Sequence, residues 1–474
     1  MNVYAGIPAG VEMLYVWLLP LGGLGTSCQV LHLTLGLLAA ATIVVIARRL
    51  GDGVAGVWAA AAFFTTPMVM LESGRPAVEL GWSFYLALTL LALIAGEWKR
   101  GWREALLAGS LMGLALGTKF QAALLLPAVA AYFWHRFGAR EGSAWAAKIG
   151  LVAVAVAAPW GLRNIFFYGN PIFPMLGGKL FAASPFVDLA AFMSSAHGRS
   201  PLAIVSSWDA FRAFVLHPWT YAMPLETSEA DNVMSLAFLC ALPLLPFLAM
   251  SREAKRLLLV AAVLWIPMNL LSGLARFNIP ALVPLSLAAI LPLRLGDRRR
   301  ALAAGIAGAA VFGAALFYVH SKTDALLWRV LNGEIPVKTH LSHRRPIYGV
   351  PPFPAYDWAN ANLPRDAKLL LIGEPRSFYL DRDHETSSPY ASQPIAVHAN
   401  AASSGEDLYR RLKAAGFTYV YLNVAGMSVS RQTMSMSPQG LAALRDFWKR
   451  SLVAVFVDNS QDPKDLRFSV IYRI

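Results

Sequence analysis

The stretch Gly113-Leu-Ala-Leu-Gly-Thr-Lys119-Phe-Gln-Ala-Ala-Leu-Leu-Leu-Pro127 reads as the end of one membrane helix and the start of the next. Its single charge, Lys119, lies in otherwise apolar surroundings. A cation at the centre of a membrane helix costs roughly 2.5–3.5 kcal/mol on insertion scales, so an ionisable residue at such depth is a candidate functional group by default. The alternative is a lysine that snorkels from a helix end to the headgroups. Two things decide between them: the side of the membrane on which this turn lies, and what lies there with it.

The rest of the chain agrees with a membrane reading. Of its 474 residues 57% are apolar and 15% charged, with a mean hydropathy of +0.50. Soluble domains carry about 25% charged residues. Apolar stretches able to cross roughly 30 Å of hydrocarbon occur near 29–47, 54–72, 77–95, 103–118, 119–135, 145–163, 233–250, 256–273, 277–294 and 301–320. That pattern predicts a polytopic α-helical membrane protein of about ten spans, in which 103–118 and 119–135 are short and nearly continuous. The start shows no signal-peptide pattern. Cys28 and Cys240 lie in or beside apolar stretches; two such residues define no disulfide framework or metal site and read as buried small hydrophobes.

A net charge of +13 suggests nucleic acid until it is placed along the chain. Fifteen of the 41 Lys and Arg occupy one set of alternate loops: Arg48/Arg49, Lys99/Arg100/Arg103, Arg136/Arg140/Lys148, Arg252/Lys255/Arg256 and Arg294/Arg298/Arg299/Arg300. The opposite loops hold seven: Arg75, Lys119, Arg163, Lys179, Arg199, Arg212 and Arg276. Lys and Arg concentrate on the cytoplasmic side of membrane proteins, so the first set is read as cytoplasmic and no case for nucleic acid remains. Alternation then puts residues 1–28, the loop at 72–77, Lys119, the long loop 164–232, Arg276 and everything after 320 on the other side.

Three regions follow. Residues 1–28 form a partial outer loop with an amphipathic entry, 29–320 a membrane domain, and 321–474 a soluble extracytoplasmic domain. Within the long loop, Trp208, Trp219 and Tyr221 fit a membrane interface. After Tyr318 the segments 368–373, 418–423, 453–458 and 468–473 read as strands. Helical spacing marks 354–363, 406–415 and 438–450. This alternation predicts a small α/β layer with a largely parallel sheet.

Four features converge on the outer face. Glu79 opens a span after Arg75-Pro76, Lys119 sits in the next outer turn, and Arg163 closes the following span in Pro159-Trp160-Gly-Leu-Arg163-Asn164. Then comes Tyr168-Gly-Asn-Pro-Ile-Phe-Pro174, a turn at the membrane surface. Two such cations can hold a phosphate, Arg through a bidentate fork and Lys as a point charge. A nearby carboxylate can accept a proton as general base, and Glu79 is the candidate catalytic residue, with Glu72 and Glu12 weaker candidates for the same role. The plainer readings are an interfacial arginine for Arg163, and for Glu79 a pairing with Arg75 or a charge favoured by the helix dipole. The chain contains no Walker loop, HExxH or paired CxxC. His217, His320 and His340 are isolated, and Asp381-Arg-Asp383-His384-Glu385 reads as a charged turn. No cofactor is indicated, and the sequence is silent on a divalent metal.

The run Asn2-Val-Tyr…Pro8…Val11-Glu-Met-Leu-Tyr15, with Gly113–Lys119 and Pro159-Trp…Arg163-Asn164…Gly169-Asn-Pro171-Ile-Phe-Pro174, resembles bacterial GT-C membrane glycosyltransferases. Those enzymes are relatives of protein O-mannosyltransferases and of the aminoarabinose transferase acting on lipid A. The tail Trp358-Ala-Asn-Ala-Asn-Leu-Pro364…Leu371-Ile-Gly-Glu-Pro-Arg376…Tyr379-Leu-Asp381-Arg382 is similar to their soluble region. The resemblance implies a polyprenyl-phosphate sugar donor, a lipid, glycan or protein acceptor, and inversion at the anomeric carbon. It also implies a multi-pass protein of the plasma (inner) membrane with a periplasmic C-terminal domain. It assigns Lys119 to the lipid phosphate and Arg163 a similar part. The family's catalytic aspartate, in a first outer loop after a first span, has no counterpart here. The expectation is a start that lacks that segment; the other readings are an inactive chain or a substitute such as Glu79. The missing aspartate keeps open a non-catalytic assembly protein on this scaffold. A transporter or flippase of polyprenyl-linked lipids is the third class, though no pair of broken helices recurs in two halves.

Overall fold

The computed structural model describes residues 3–474 except 22–24, 99–100, 182–203, 205, 215–233, 272–274, 296, 323–328, 331, 344–349, 387–392, 431–435 and 459–467. Arg199, His217, Trp219 and Tyr221 therefore lie outside the described residues. The chain divides into two compact units. A helical unit comprises Ile7–Ile172 and His197–Thr323; the other comprises Met1–Gly6, Phe173–Ala196 and Asp324–Ile474.

In the helical unit the elements are α1 (Gly10–Leu18), α2 (Thr26–Arg49), α3 (Gly53–Phe64), α4 (Pro67–Ser73), α5 (Glu79–Ala95), α6 (Arg103–Leu116), α7 (Leu125–Phe137) and α8 (Ala139–Tyr168). After these come α9 (Leu236–Ala241), α10 (Arg252–Leu271), α11 (Leu282–Ile290) and α12 (Arg298–Lys322), with 3-10 turns at Phe120–Leu124 and Ala275–Ala281. Each apolar stretch coincides with a helix or a helix continued by 3-10 turns, except 54–72, which is the two helices α3 and α4. By length and composition, four helices among the described residues can cross a membrane: Thr26–Arg49, Ala139–Tyr168, Ala275–Leu293 and Arg300–His320. The pair α3–α4, bent by 70°, makes a fifth. Elsewhere α5, α6 and α7, with 17, 14 and 13 residues, fall short of the roughly 20 that span hydrocarbon.

Local chemistry sets these boundaries. Asp52 caps α3 by accepting the Ala55 N–H at 2.8 Å. The α3–α4 bend falls where Pro67 lacks an N–H and where Thr65 and Thr66 hydroxyls return to the carbonyls of Ala61 (2.7 Å) and Ala62 (2.8 Å). On α6, Gly109 and Gly113 let α8 close in: a Cβ at Gly113 would lie 2.6 Å from Val156 Cβ and 2.7 Å from the Ala153 carbonyl. Small residues four apart allow such backbone approach between membrane helices. Cys28 is buried, as expected, but Cys240 is exposed, because on α9 it faces away from the packed side that carries Phe238 and Ala241.

The other unit contains α13 (Val337–Leu341), α14 (Phe353–Asn362), β1 (Lys368–Ile372), β2 (Asp383–Glu385), α15 (Pro394–Asn400), α16 (Gly405–Ala414), β3 (Tyr419–Asn423), α17 (Val424–Ser430), α18 (Pro438–Arg450), β4 (Val453–Asp458) and β5 (Ser469–Arg473). Its five strands run in the order β2-β1-β3-β5-β4. Alternating residues serve two layers: Leu370, Ile372, Val420 and Leu422 pack with Ile395, Leu408 and Phe447, and Leu369, Leu371, Tyr421 and Ile471 with Tyr356 of α14. The sheet is mixed. β1 pairs in parallel with β2 and β3, whereas β5 is antiparallel to both β3 and β4. The connection from Asp458 to Ser469 is too short for a parallel crossover, which needs a dozen residues or more. The run Asp383-His384-Glu385, expected in a charged turn, is instead the edge strand β2. Its exposed carboxylates suit an edge, where charge discourages further pairing.

Candidate functional site

The site is built where α5 begins and α6 ends. Gly117 closes α6, and Lys119 follows in extended backbone (φ −164°, ψ 144°). This places its side chain outside either helix and allows it to reach Glu79, the first residue of α5. Lys119 Nζ lies 2.8 Å from Glu79 Oε1, with both side chains largely buried. Glu79 Oε2 accepts the Val78 N–H at 3.2 Å. Arg75, the partner considered for Glu79 from sequence, pairs with Glu72 at 3.1 Å.

A third strand of chain completes the group. Arg276 and Phe277 lie in the 3-10 turn Ala275–Ala281. Lys119 Nζ sits 4.0 Å from the centroid of the Phe277 ring, and the Arg276 guanidinium 5.5 Å from the same ring. Both distances are in the cation–π range. Glu79 feels the attraction of both Lys119 and Arg276. Arg276 Nε is buried and has no hydrogen-bond partner among the described residues. Sequence reasoning counted Arg276 only as one of the outer basic residues. The argument used for Lys119, a cation at the outer end of an apolar stretch, would have singled it out.

His32 of α2, fully buried, fixes the start of α5. The Leu80 N–H donates to Nε2 at 3.2 Å, so Nε2 accepts and the neutral ring carries its proton on Nδ1, which donates to the Glu72 carbonyl at 2.9 Å. That one ring ties the end of α4 to the residue beside Glu79. Nothing in the sequence marks it, because its partners are backbone atoms 40 and 48 positions away.

Helix α1 lies against the same group. The Gly10 N–H donates to the Gly117 carbonyl at 2.8 Å, and a Cβ at Gly10 would stand 2.8 Å from that oxygen. A Cβ at Gly81 would meet Val11 at 2.6 Å. The Tyr15 hydroxyl donates to the Ala77 carbonyl. Between these ties stands Glu12, whose Oε2 is buried without a hydrogen-bond partner among the described residues. Burial pushes the Glu12 carboxyl above the usual carboxylate range; a backbone hydrogen bond and the Lys119 charge act against this, and Glu79 adds to it.

Arg163 belongs to a different set of contacts. Near the end of α8, its guanidinium donates to Asn164 Oδ1 (3.0 Å) and to the Ile7 carbonyl (3.3 Å), and lies 4.9 Å from the Trp160 ring centroid. Of the three residues expected to act together, Glu79 and Lys119 thus meet directly, and Arg163 bears on the segment leading into α1. Among the described residues no group of three His, Cys, Asp or Glu suits a metal ion. Chemically, two cations over one aromatic ring, with one carboxylate that both attract, make a partly buried place for an anion of phosphate character.

This arrangement sits in a fold seen before. The chain is similar to ArnT from Cupriavidus metallidurans in the apo state, with 15% identity over 99% of this chain and 87% of that one and a TM-score of 0.57. ArnT bound to undecaprenyl phosphate gives 14% identity, 99% and 88% coverage and a TM-score of 0.54. The Archaeoglobus fulgidus oligosaccharyltransferase in complex with Zn and sulfate gives 12%, 93% and 63%, and 0.51. The fold is that of the GT-C-type membrane glycosyltransferases. Residues 25–283 match the model of a family described as a domain of unknown function (DUF8201), and the chain belongs to that family. No curated protein matches its sequence.

Proposed function

We propose that this chain transfers a sugar from a polyprenyl-phosphate-linked donor to an acceptor hydroxyl on a lipid, glycan or protein. The transfer takes place at the non-cytoplasmic face of the plasma membrane, with inversion at the anomeric carbon. The observation that carries the reading is the largely buried pair of Lys119 and Glu79, with Lys119 and Arg276 both over the Phe277 ring. Its support is the fold shared with ArnT, which has been solved with undecaprenyl phosphate bound. Residues 29–320 are the catalytic membrane domain in this reading, and 321–474 an extracytoplasmic domain that follows it in sequence.

The chemistry asks for electrostatics above all. As the bond between the anomeric carbon and the phosphate oxygen breaks, negative charge grows on the leaving lipid phosphate. Preorganised cations in a water-poor site stabilise such charge strongly. Lys119 serves one phosphate oxygen as a point charge, and the Arg276 Nε–H offers a directed donor. Glu79 holds Lys119 in place and balances the two cations before the lipid arrives. Arg163, which donates to the Ile7 carbonyl, steadies the segment before α1 and takes a lesser share of the phosphate. The test is binding of polyprenyl phosphate to the purified protein, with sugar transfer as the second readout. Lys119→Ala is expected to weaken that binding at least about tenfold, the worth of a charge-assisted hydrogen bond; unchanged binding would remove Lys119 from the site.

A further inference from the structure

The acceptor hydroxyl must lose a proton, and the group that takes it needs a lone pair not already engaged. Glu79 offers little: Oε1 is held by Lys119 at 2.8 Å and Oε2 by the Val78 N–H at 3.2 Å. Glu72 is engaged by Arg75 at 3.1 Å. Glu12 differs from Glu79 in that its Oε2 is out of solvent and accepts nothing among the described residues, and from Glu72 in standing in the field of Lys119 and Glu79 instead of in an ion pair with Arg75. Its position is fixed from three sides, by Gly10 on the carbonyl of Gly117, by Val11 on Gly81 of α5, and by Tyr15 on the carbonyl of Ala77. These contacts tie the residues flanking Glu12 to the turn that carries Lys119 and to the helix that begins with Glu79. The Ile7 carbonyl, five residues before Glu12, receives Arg163.

We propose that Glu12 is the general base of this site and Glu79 the positioning partner of Lys119. The inference rests on the sugar-transfer reading above. In the step, the acceptor oxygen forms a bond to the anomeric carbon while the carbon–oxygen bond to the lipid phosphate breaks. The electron pair of that bond stays on the phosphate oxygen beside the two cations, and the hydroxyl proton passes to Glu12 Oε2. Polyprenyl phosphate and the glycosylated acceptor leave, and Glu12 returns its proton to water. The groups facing Glu12 are Lys119 from the turn after α6, Glu79 from α5, and on its own helix Tyr15, whose carbonyl accepts from Cys28 of α2.

The experiment uses the full chain with a polyprenyl-phosphate sugar donor, and measures transfer and polyprenyl-phosphate binding side by side. Glu12→Gln keeps shape and removes the acceptor charge. It is expected to lower kcat by about 100-fold or more, within the range for a lost general base, with donor KM and lipid binding nearly unchanged. The acidic limb of the wild-type rate–pH profile, rate rising with pH, is expected to vanish with it. Glu12→Asp is expected to keep partial activity with that limb displaced; should Glu12→Gln not retain lipid binding, this variant decides, and an undisplaced limb at full rate overturns the proposal. Full transfer by a lipid-binding Glu12→Gln overturns Glu12 and leaves the transfer reading standing. Absence of transfer by the wild-type chain with every donor overturns the reading, and Glu12 with it.

Discussion

Glu374 and Glu79, buried glutamates in different units, are each neutralised by a cation, and they are neutralised differently. Glu374, just beyond β1, is 2% exposed. Arg376 donates to both its oxygens, Nε to Oε1 at 2.6 Å and Nη2 to Oε2 at 2.6 Å, and Asn423 at the end of β3 adds a third bond at 2.9 Å. This bidentate knot ties together the ends of two parallel strands and leaves no carboxylate oxygen open. Glu79, 3% exposed, has one strong bond to a lysine point charge. Around it stand a buried guanidinium nitrogen and a buried carboxylate oxygen without partners, Arg276 Nε and Glu12 Oε2. A saturated ion pair is a fastening, whereas a pair set among unsatisfied buried groups has room for a guest.

Removing one member of each pair tests that contrast. The largest effect is expected from Lys119→Ala, which leaves the Glu79 carboxylate buried without its near cation; such a loss costs about 3–5 kcal/mol. Unfolding in detergent would register it, together with weakened polyprenyl-phosphate binding. The double variant Lys119→Met with Glu79→Met is expected to recover most of the stability and none of the binding. Recovery of both would make the pair a mere fastening.

Glu374→Gln is expected to cost less, about 1.5–3 kcal/mol for lost charged hydrogen bonds, because the partly exposed Arg376 can turn to solvent. Lipid binding by the folded variant is expected to stay at the wild-type level, and a drop would erase the contrast between the units. Arg276→Gln is expected to weaken polyprenyl-phosphate binding about tenfold, or about 1.4 kcal/mol. Stability should change less than with Lys119→Ala, since Arg276 Nε donates to nothing among the described residues and Glu79 keeps its bond to Lys119. Titration calorimetry against a denaturation curve separates the two.

The smallest effect concerns His398, near the Phe417 ring. Burial lowers its pKa from the ordinary 6.5, outweighing the attraction of Glu385, while Arg411 and Lys368 act with it. The unfolded chain therefore binds this proton more readily, and the contribution is complete above the ordinary value. It is lost as the pH falls from there through the lowered one. His398→Phe should flatten the stability–pH curve in that window; an unchanged slope would assign the slope to another group.

Much of this was legible in the residues. Nine of the ten apolar stretches became a helix or a helix with 3-10 turns, 54–72 became the bent pair α3–α4, and the strands at 368–372, 419–423, 453–458 and 469–473 stand within a residue of the segments read as strands. Lys119 was legible because a charge in an apolar run is costly. Two features were misread locally: the charged run at Asp383 became an edge strand, and the sheet is half antiparallel. Edge strands tolerate charge, so composition alone does not separate them from turns. Strand direction depends on which neighbour a strand meets, although the short link before β5 did forbid a parallel pairing with β4.

From its sequence alone the chain is a multi-pass membrane protein with an appended α/β layer, and Lys119, Arg163 and Glu79 are its candidates. These follow from transfer energies and from periodicities of 3.6 and 2, which act within a few residues. Tertiary structure alone joined Lys119 to Glu79 across 40 positions, set Arg276 against Phe277 beside them, and left Glu12 with an open oxygen. Ion pairs and orphaned polar atoms are properties of helices packed side by side. The glycines that allow such packing, Gly10, Gly81, Gly109 and Gly113, carry no charge to announce it.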